Sequence, residues 1–198
     1  MAEMKVFSTG IDPNDWIPHR FTQPGKGVTP SILWQHLPIG TESLILLLRH
    51  REAQSNKKIY WLLYDINPLA KSIPEGGPLP DNTRTGTNDF GGVSYCPPVA
   101  DAGHQLQHYD FTLIATDLPT LGRPDGATWH AIKSILHTKG SKDVIDLMEA
   151  PPISDSTARE FFLSVILLVT PSSPDILPWI QINIYRMRRR LMLCCVRR

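Results

Sequence analysis

Proline is the residue that most restricts what this chain can fold into. It occurs 18 times in 198 residues, about 9% where roughly 5% is usual. A proline inside a helix removes a backbone hydrogen bond and clashes with the preceding turn. Prolines spread this densely disfavour an all-helical bundle. Because 41% of the residues are hydrophobic, a sizeable core is still available, and the expected domain is mainly β with long loops.

The net charge of +1 is unevenly distributed along the chain. Residues 151–198 carry seven arginines and three acids, a net charge of +4, which leaves −3 for the first 150 residues. Nucleic-acid-binding domains usually present a basic face, so we expect no nucleic-acid partner for the body of the chain. Any preference for an acidic partner would belong to the C-terminal part alone.

Cysteine usage and the N-terminus bear on the compartment. The three cysteines are Cys96, Cys194 and Cys195, an odd number with two adjacent, which gives no disulfide framework. Residues 1–10 show no basic segment followed by an apolar stretch, as a secretory signal would. The sequence therefore predicts a cytoplasmic protein, and it leaves the oligomeric state open.

Four segments are typical of β-strands. Residues 5–9 form a short candidate, and residues 43–48 (SLILLL) are a continuous apolar run suited to a strand buried on both faces. Residues 59–66 (IYWLLYDI) are rich in aromatic and branched side chains. Residues 109–115 alternate, which predicts a half-buried strand with one apolar face made of Tyr109, Phe111, Leu113 and Ala115.

One helix is predicted between long loops. Residues 127–139 place Trp129, Ile132, Ile135 and Leu136 on one face, and Gly140 supplies a stop. Residues 12–30 and 68–98 are rich in proline and glycine. Because a compact domain rarely holds so long a loop as the second, that stretch is expected to be functional or to contain short strands.

The character of the chain changes after about residue 149. Residues 161–169 (FFLSVILLV) are too short to span a bilayer, and PSSPD separates them from a second apolar run that ends in RMRRR. The expected organisation is a domain at residues 1–149 and a C-terminal tail at residues 150–198, irregular or helical. Whether the tail associates with a membrane is left open.

Three stretches in order resemble the phosphatidylethanolamine-binding protein family, also called Raf-kinase-inhibitor-like proteins, in its small bacterial form. Residues 17–21 (IPHRF) with 28–34 (VTPSILW) are similar to its opening loop and strand, and residues 37–44 (LPIGTESL) to its turn into a core strand. Residues 88–91 (NDFG), Tyr95, the prolines at 97–98 and residues 108–113 (HYDFTL) are similar to its longest motif. The resemblance covers about residues 4–148.

The resemblance implies a fold and a binding site. The fold is an antiparallel β-sheet or sandwich domain with peripheral helices. The site is a shallow pocket at one end of the sheet that accepts phosphate-like anions, and no reaction is general to the family.

The aspartates and histidines of the family's pocket are replaced in this sequence, whereas two of its tyrosines are kept. The loop that reads DPDAP in the family is HREAQ here, so His50 and Glu52 replace its two aspartates. Tyr60 and Gln107 replace its two histidines. Tyr95 and Tyr109 match its tyrosines. The candidate ligand-binding residues are therefore His50, Glu52, Tyr60, Tyr95, Gln107 and Tyr109. His50, Tyr60 and Gln107 can all donate hydrogen bonds to an anion, and Arg51 could add a bidentate phosphate contact.

Each candidate also has an ordinary structural interpretation. His50 could be a solvated loop residue, and Tyr60 could simply pack in the core. His104 and His108 are four residues apart, but a predicted strand follows directly at residues 109–115, so helical metal-ligand geometry is not available. We expect neither a metal nor another cofactor.

The sequence gives no residues on which to base an enzyme. It contains no nucleophile elbow, no phosphate-binding P-loop, no dinucleotide fingerprint and no HExxH motif. Cys96 would serve as a nucleophile only if a neighbouring histidine lowered its pKa. The predicted function is a non-catalytic protein of this family with an altered anion pocket, whose ligand is a small anionic or phosphorylated group. Two alternatives stay open: an interaction or membrane-associated protein acting through its arginine-rich tail, and a family member without a ligand.

Overall fold

A computed structural model describes residues 4–12, 16–51, 58–99, 108–139 and 162–167, the last range by its backbone alone. The described chain forms two β-sheets and one α-helix. The strands are β1 (Lys5–Phe7), β2 (Ile32–Gln35), β3 (Ser43–Arg51), β4 (Ile59–Ile66), β5 (Ser72–Ile73), β6 (Arg84–Thr85), β7 (His108–Thr116) and β8 (Phe162–Leu167). The helix α1 spans Trp129–Lys139, and short 3₁₀ turns occur at His19–Phe21 and Pro68–Ala70.

The larger sheet has the order β6-β4-β3-β7-β8, and the smaller has the order β1-β2-β5. All pairings between these strands are antiparallel except that of β7 with β8. This mainly β architecture agrees with the expectation from proline content. The long loop at 68–98 was expected to be functional or to contain short strands, and it contains the two-residue strands β5 and β6.

Strand β3 is buried on both faces, as its continuous apolar run predicts. Leu44, Leu46 and Leu48 belong to the core between the two sheets, which also contains Phe21 and Trp34. The alternate residues of the strand, at 45 and 47, belong to a second core with Ile132 and Leu136 of the helix. Period-two alternation thus sends neighbouring side chains into two separate cores.

Strand β7 departs from the half-buried strand predicted for it. The predicted apolar face, from Tyr109 to Ala115, lies in the core between the sheets. The opposite face is buried as well, since Asp110 is 8% exposed and Thr112 is fully buried. The prediction was wrong because polar residues on that face suggested solvent. Helix α1, distant in sequence, belongs to the core on that side, where Ile114 meets Ile132 and Leu136.

The helix begins two residues later than the pattern predicts because Thr128 caps it. The side-chain oxygen of Thr128 accepts a hydrogen bond from the amide of Ala131 at 3.3 Å, and its carbonyl accepts one from Ile132 at 3.1 Å. Satisfying a free amide of the first turn in this way is the usual role of threonine at the N-cap.

Removing this cap is expected to destabilise the domain. Thr128→Ala should lower the free energy of unfolding by about 1 kcal/mol, because the amide of Ala131 loses its side-chain acceptor. Urea unfolding followed by circular dichroism measures the change. Thr138→Ala is the matched control, since the Thr138 hydroxyl only donates back to the carbonyl of Ser134 in the last turns of the helix. An equal effect of the two substitutions would contradict the capping role.

The described residues of the tail form a strand, where a helical or irregular tail was expected. Phe162–Leu167 pairs in parallel with Asp110–Ala115. An outer strand presents unpaired amides and carbonyls, and a second extended segment satisfies them. The six residues FLSVIL have the apolar and branched composition suited to this role. Within the described residues no helix is long and apolar enough to cross a membrane.

Candidate ligand-binding site

Three of the predicted site residues meet at one end of the larger sheet. His50 lies directly opposite Tyr109 in the β3–β7 ladder, and Tyr60 stands on β4, the neighbour of β3 on its other side. The ring of His50 lies 5.0 Å from that of Tyr109 and 6.2 Å from that of Tyr60, measured between centroids. The two tyrosine rings are 5.2 Å apart and nearly perpendicular. We call these residues the aromatic trio.

The aromatic trio is largely shielded from solvent. His50, Tyr60 and Tyr109 are 7%, 8% and 3% exposed. Burial, followed by the hydrogen bond with the Tyr60 side chain, raises the pKa of the Tyr109 hydroxyl well above its ordinary value. That phenol is therefore protonated at neutral pH and acts as a hydrogen-bond donor. The Tyr109 hydroxyl lies 3.5 Å from the carbonyl oxygen of Val99, the outer limit of a hydrogen bond.

The loop at residues 88–92 is attached to the start of β4. The carboxylate of Asp89 accepts a hydrogen bond from the amide of Ile59 at 2.7 Å, and the Asp89 amide donates to the Ile59 carbonyl at 3.0 Å. Asn88, only 5% exposed, accepts hydrogen bonds from the amides of Phe90 and Gly92 and donates to the carbonyl of Ser94. These bonds explain why the motif has an acid and an amide side by side: one fixes the loop to the sheet and the other folds the loop on itself.

Two further residues adjoin the aromatic trio and were not among the predicted site residues. The ring of Phe90, half of which is exposed, lies 4.7 Å from that of Tyr60 in an edge contact. The ammonium of Lys58 lies 5.9 Å from the centre of the Phe90 ring, within cation–π range. Phe90 belongs to the NDFG motif, so the resemblance to the family contained a signal for it. Lys58 carries no sequence signal, because it is one of two adjacent lysines in a polar stretch.

Tyr95 is oriented toward a different part of the molecule. Its ring packs on Trp61 at 5.4 Å, and its hydroxyl donates to the carbonyl of Phe21 at 2.9 Å. Burial raises the pKa of this phenol well above its ordinary value. Tyr95 therefore connects the 3₁₀ turn at His19–Phe21 to β4, and its hydroxyl already has a firm partner.

Cys96 is half-buried next to Tyr95. Its amide donates to the carbonyl of Tyr60 at 2.9 Å, and burial raises the pKa of its thiol. At neutral pH the side chain is therefore a thiol, which is a weaker nucleophile than a thiolate.

The remaining predicted residues are described in part or not at all. Glu52 and Gln107 lie outside the described residues. Arg51 is described by its backbone, which pairs with His108. The neighbouring Arg49 donates to the Thr112 hydroxyl at 3.1 Å, on the face of the sheet opposite the aromatic trio. Among the described residues no group of three or more histidine, cysteine, aspartate or glutamate side chains is placed to hold a metal ion.

Comparison with known proteins identifies relatives of this chain in bacteria and archaea. A protein of Aquifex aeolicus called "UPF0098 protein" is 34% identical over 130 residues, which cover 64% of this chain and 76% of the relative. The "UPF0098 protein YbhB" of Escherichia coli is 24% identical over 136 residues, covering 63% of this chain and 85% of the relative.

Solved structures share the fold. The crystal structure of CT736 from Chlamydia trachomatis, titled a putative phosphatidylethanolamine-binding protein (PEBP) homolog, superposes with a TM-score of 0.61 at 23% identity, over 67% of this chain and 86% of that one. The structure of E. coli YbcL, titled a new member of the mammalian PEBP family, superposes with a TM-score of 0.63 at 21% identity, over 69% of this chain and 91% of that one. The predicted antiparallel β fold with a peripheral helix is therefore confirmed.

The family model for phosphatidylethanolamine-binding proteins matches residues 7–150. This range contains all three motifs that carried the resemblance and ends where the sequence changes character. The chain belongs to the phosphatidylethanolamine-binding protein family.

Proposed function

We propose that this protein is a non-catalytic binding protein whose altered pocket, at the aromatic trio, takes a small anion of the phosphate type. The observation that carries the proposal is the convergence of His50, Tyr60 and Tyr109. These residues stand at positions where the family resemblance places pocket residues, and their rings meet at one end of three adjacent strands. Each of the three side chains bears at least one N–H or O–H group.

Hydrogen-bond donors are the main requirement for holding a phosphate oxygen at such a site. The Tyr109 phenol stays protonated because burial and its bond with Tyr60 raise its pKa. Its contact to the Val99 carbonyl, at 3.5 Å, is at the outer limit of a hydrogen bond, and a bound anion would have to replace both this contact and the bond with Tyr60. A hydrogen bond to a charged oxygen is stronger than one to a neutral carbonyl, so the exchange favours the bound anion.

A positive charge at the edge of the site complements the donors. Lys58 directly precedes β4, is exposed, and lies with its ammonium 5.9 Å from the Phe90 ring that packs on Tyr60. A flexible ammonium at this place would raise the local concentration of anions and screen the charge of a bound one. The expected pocket is therefore a ring of aromatic donors with a lysine at its rim.

A binding role, in preference to catalysis, is supported by the pKa values of the groups near the aromatic trio. Burial raises the pKa of Cys96, and burial raises those of Tyr95 and Tyr109 still more strongly. A thiol and two phenols that hold their protons at neutral pH are poorly suited to act as nucleophiles or general bases.

The test is a titration of the full-length protein with inorganic phosphate and with phosphoethanolamine at constant ionic strength, followed by NMR. We expect saturable chemical-shift changes at His50, Tyr60 and Tyr109 with dissociation constants in the millimolar range or below. Tyr109→Phe should weaken binding about tenfold, because one hydrogen bond to a charged oxygen is lost.

Tyr95→Phe is the matched control for that substitution. It removes the same hydroxyl from a half-buried tyrosine whose O–H donates to the Phe21 carbonyl at 2.9 Å. We expect Tyr95→Phe to lower stability and to leave the phosphate affinity unchanged. Equal affinities of the two variants, or no saturable shift at the aromatic trio of the wild-type protein, would refute the proposed anion site.

A further inference from the structure

A second concave site lies at the other end of the larger sheet. It is a cleft of about 400 Å³, within the size range of small-molecule sites. We call it the distal cleft, and its polar lining comprises Asp65, Asn82, Arg84, Thr120 and Arg123. Asp65 and Tyr60 both belong to β4, five residues apart, which is about 17 Å along a strand. The distal cleft is therefore separate from the aromatic trio.

The walls of the distal cleft are fixed by hydrogen bonds between three segments of the chain. The hydroxyl of the fully buried Tyr64 donates to the carbonyl of Pro124. The Gly126 amide donates to the carbonyl of Thr85 at 2.7 Å. Two prolines, at positions 119 and 124, line the cleft and stiffen its backbone. These bonds fix the backbone around the cleft, and the side chains of Arg84 and Arg123 at its edge are exposed.

The carboxylates in and beside the distal cleft are already engaged by the protein. Asp65 accepts hydrogen bonds from the Thr120 hydroxyl at 2.7 Å and from the Leu121 amide at 2.8 Å. Asp125 accepts one from the Thr85 amide at 2.9 Å and forms an ion pair with Arg84 at 3.1 Å. The amide of Thr85, and then Arg84, hold the pKa of Asp125 below its ordinary value.

The arginines, by contrast, keep most of their donors for a ligand. Arg84 uses Nη1 for Asp125, and this ion pair orients the guanidinium at the cleft. Arg123 makes no hydrogen bond or ion pair with any residue in the described part of the chain. A guanidinium carries five N–H donors in a planar fork that matches phosphate oxygens. Of the charged residues that line the cleft, two are arginines and one, Asp65, is an acid, so the lining carries a net positive charge.

We propose that the distal cleft binds a phosphomonoester, with its phosphate held between Arg84 and Arg123. A phosphomonoester presents three terminal oxygens, enough to accept hydrogen bonds from two guanidinium forks at once, whereas a carboxylate presents only two. The Asn82 amide and the remaining lone pairs of the Asp65 carboxylate are suited to the neutral hydroxyl groups of the rest of the ligand. This site goes beyond the proposed function and does not depend on it.

The test is a titration of the full-length, ¹⁵N-labelled protein with glycerol 3-phosphate and, separately, with inorganic phosphate, at constant ionic strength. We expect saturable shifts of the Asn82, Gly122 and Arg123 amides and of the Arg84 Nε–H group. Glycerol 3-phosphate should bind more tightly than inorganic phosphate, because Asn82 and Asp65 line the same cleft and can bond its hydroxyl groups. Equal or weaker binding of glycerol 3-phosphate would contradict a phosphomonoester site. Arg123→Gln should weaken binding at least about tenfold, since a bidentate contact is lost.

Lys5→Gln is the charge-matched control, because Lys5 is an exposed residue of β1 in the smaller sheet. If Lys5→Gln weakens binding as much as Arg123→Gln, the effect is general electrostatics and the proposed site is wrong. The absence of saturable shifts at the cleft would also overturn it. Failure here is distinguishable from failure at the aromatic trio, because the two sites report through different amides and respond to different variants, Arg123→Gln and Tyr109→Phe.

Discussion

The Leu48→Ala variant is expected to have a free energy of unfolding about 2–5 kcal/mol lower than that of the unchanged protein. Leu48 is fully buried at the centre of the larger sheet, between Trp61 of β4 and Phe111 of β7, which are each 2% exposed. Partners of this size on two neighbouring strands cannot collapse to fill the space of an isobutyl group. The cost therefore includes the cavity as well as the lost apolar burial.

Leu69→Ala is the matched control for this prediction. The same atoms are removed from a side chain that is 81% exposed, so the change should lie within about 0.5 kcal/mol. Urea unfolding followed by tryptophan fluorescence and circular dichroism gives both values. Similar destabilisation by the two substitutions would mean that the core between the sheets is not packed as the structure shows.

Leu48→Ala also bears on the candidate site. Leu48 precedes His50 by two residues and lies on the same face of β3, so it contributes to the floor beneath the aromatic trio. We expect the phosphate affinity of the variant to fall with its stability. The sequence run SLILLL thus serves two purposes: it builds the core, and it holds the histidine that follows it.

The central strands could be predicted from the sequence because their pattern is local. Residues 43–48 and 59–66 are apolar runs of strand length, and the structure forms β3 and β4 over them. Burial of Asp110 and Thr112 could not be predicted in the same way. The groups that meet this face are distant in sequence. Arg49 of β3 donates to the Thr112 hydroxyl. Ile114, on the same face, belongs to a core with Ile132 and Leu136 of α1. No local pattern reports these contacts.

The candidate site was predictable only through the family resemblance. The resemblance indicated His50 and Tyr60 as replacements of pocket residues and Tyr109 as a matching one. The pairing of the strands brings these three side chains together. The orientation of Tyr95 toward Trp61 and Phe21 depends on how the 3₁₀ turn packs on β4, which no motif encodes. Lys58 and the distal cleft were missed because single basic residues in polar stretches, such as Lys58, Arg84 and Arg123, form no motif in the sequence.

Asp89→Ala is expected to lower the free energy of unfolding by about 1–3 kcal/mol and to detach the NDFG loop from the sheet. The Asp89 carboxylate is the acceptor for the amide of Ile59, at 2.7 Å. Ile59 is only 5% exposed, so its amide would be left largely without a partner, and an unsatisfied buried donor has a cost of this size. The next residue, Phe90, depends on the same attachment for its 4.7 Å contact with Tyr60.

Two measurements separate the energetic from the positional part of this prediction. Urea unfolding gives the stability, with Asp81→Ala as the control, since Asp81 is an exposed aspartate in the same long loop and its loss should cost less than about 0.5 kcal/mol. Nuclear Overhauser contacts between the Phe90 and Tyr60 rings report the position of the loop and should weaken in Asp89→Ala. Asp89→Asn keeps an oxygen acceptor, so its stability should lie between those of Asp89→Ala and the unchanged protein.

If Asp89→Ala matched Asp81→Ala in stability, or kept the ring contacts intact, the attachment of this loop through Asp89 would be wrong. If both change as expected, the acid of the NDFG motif acts on the ligand site through the position of Phe90, without itself touching a ligand.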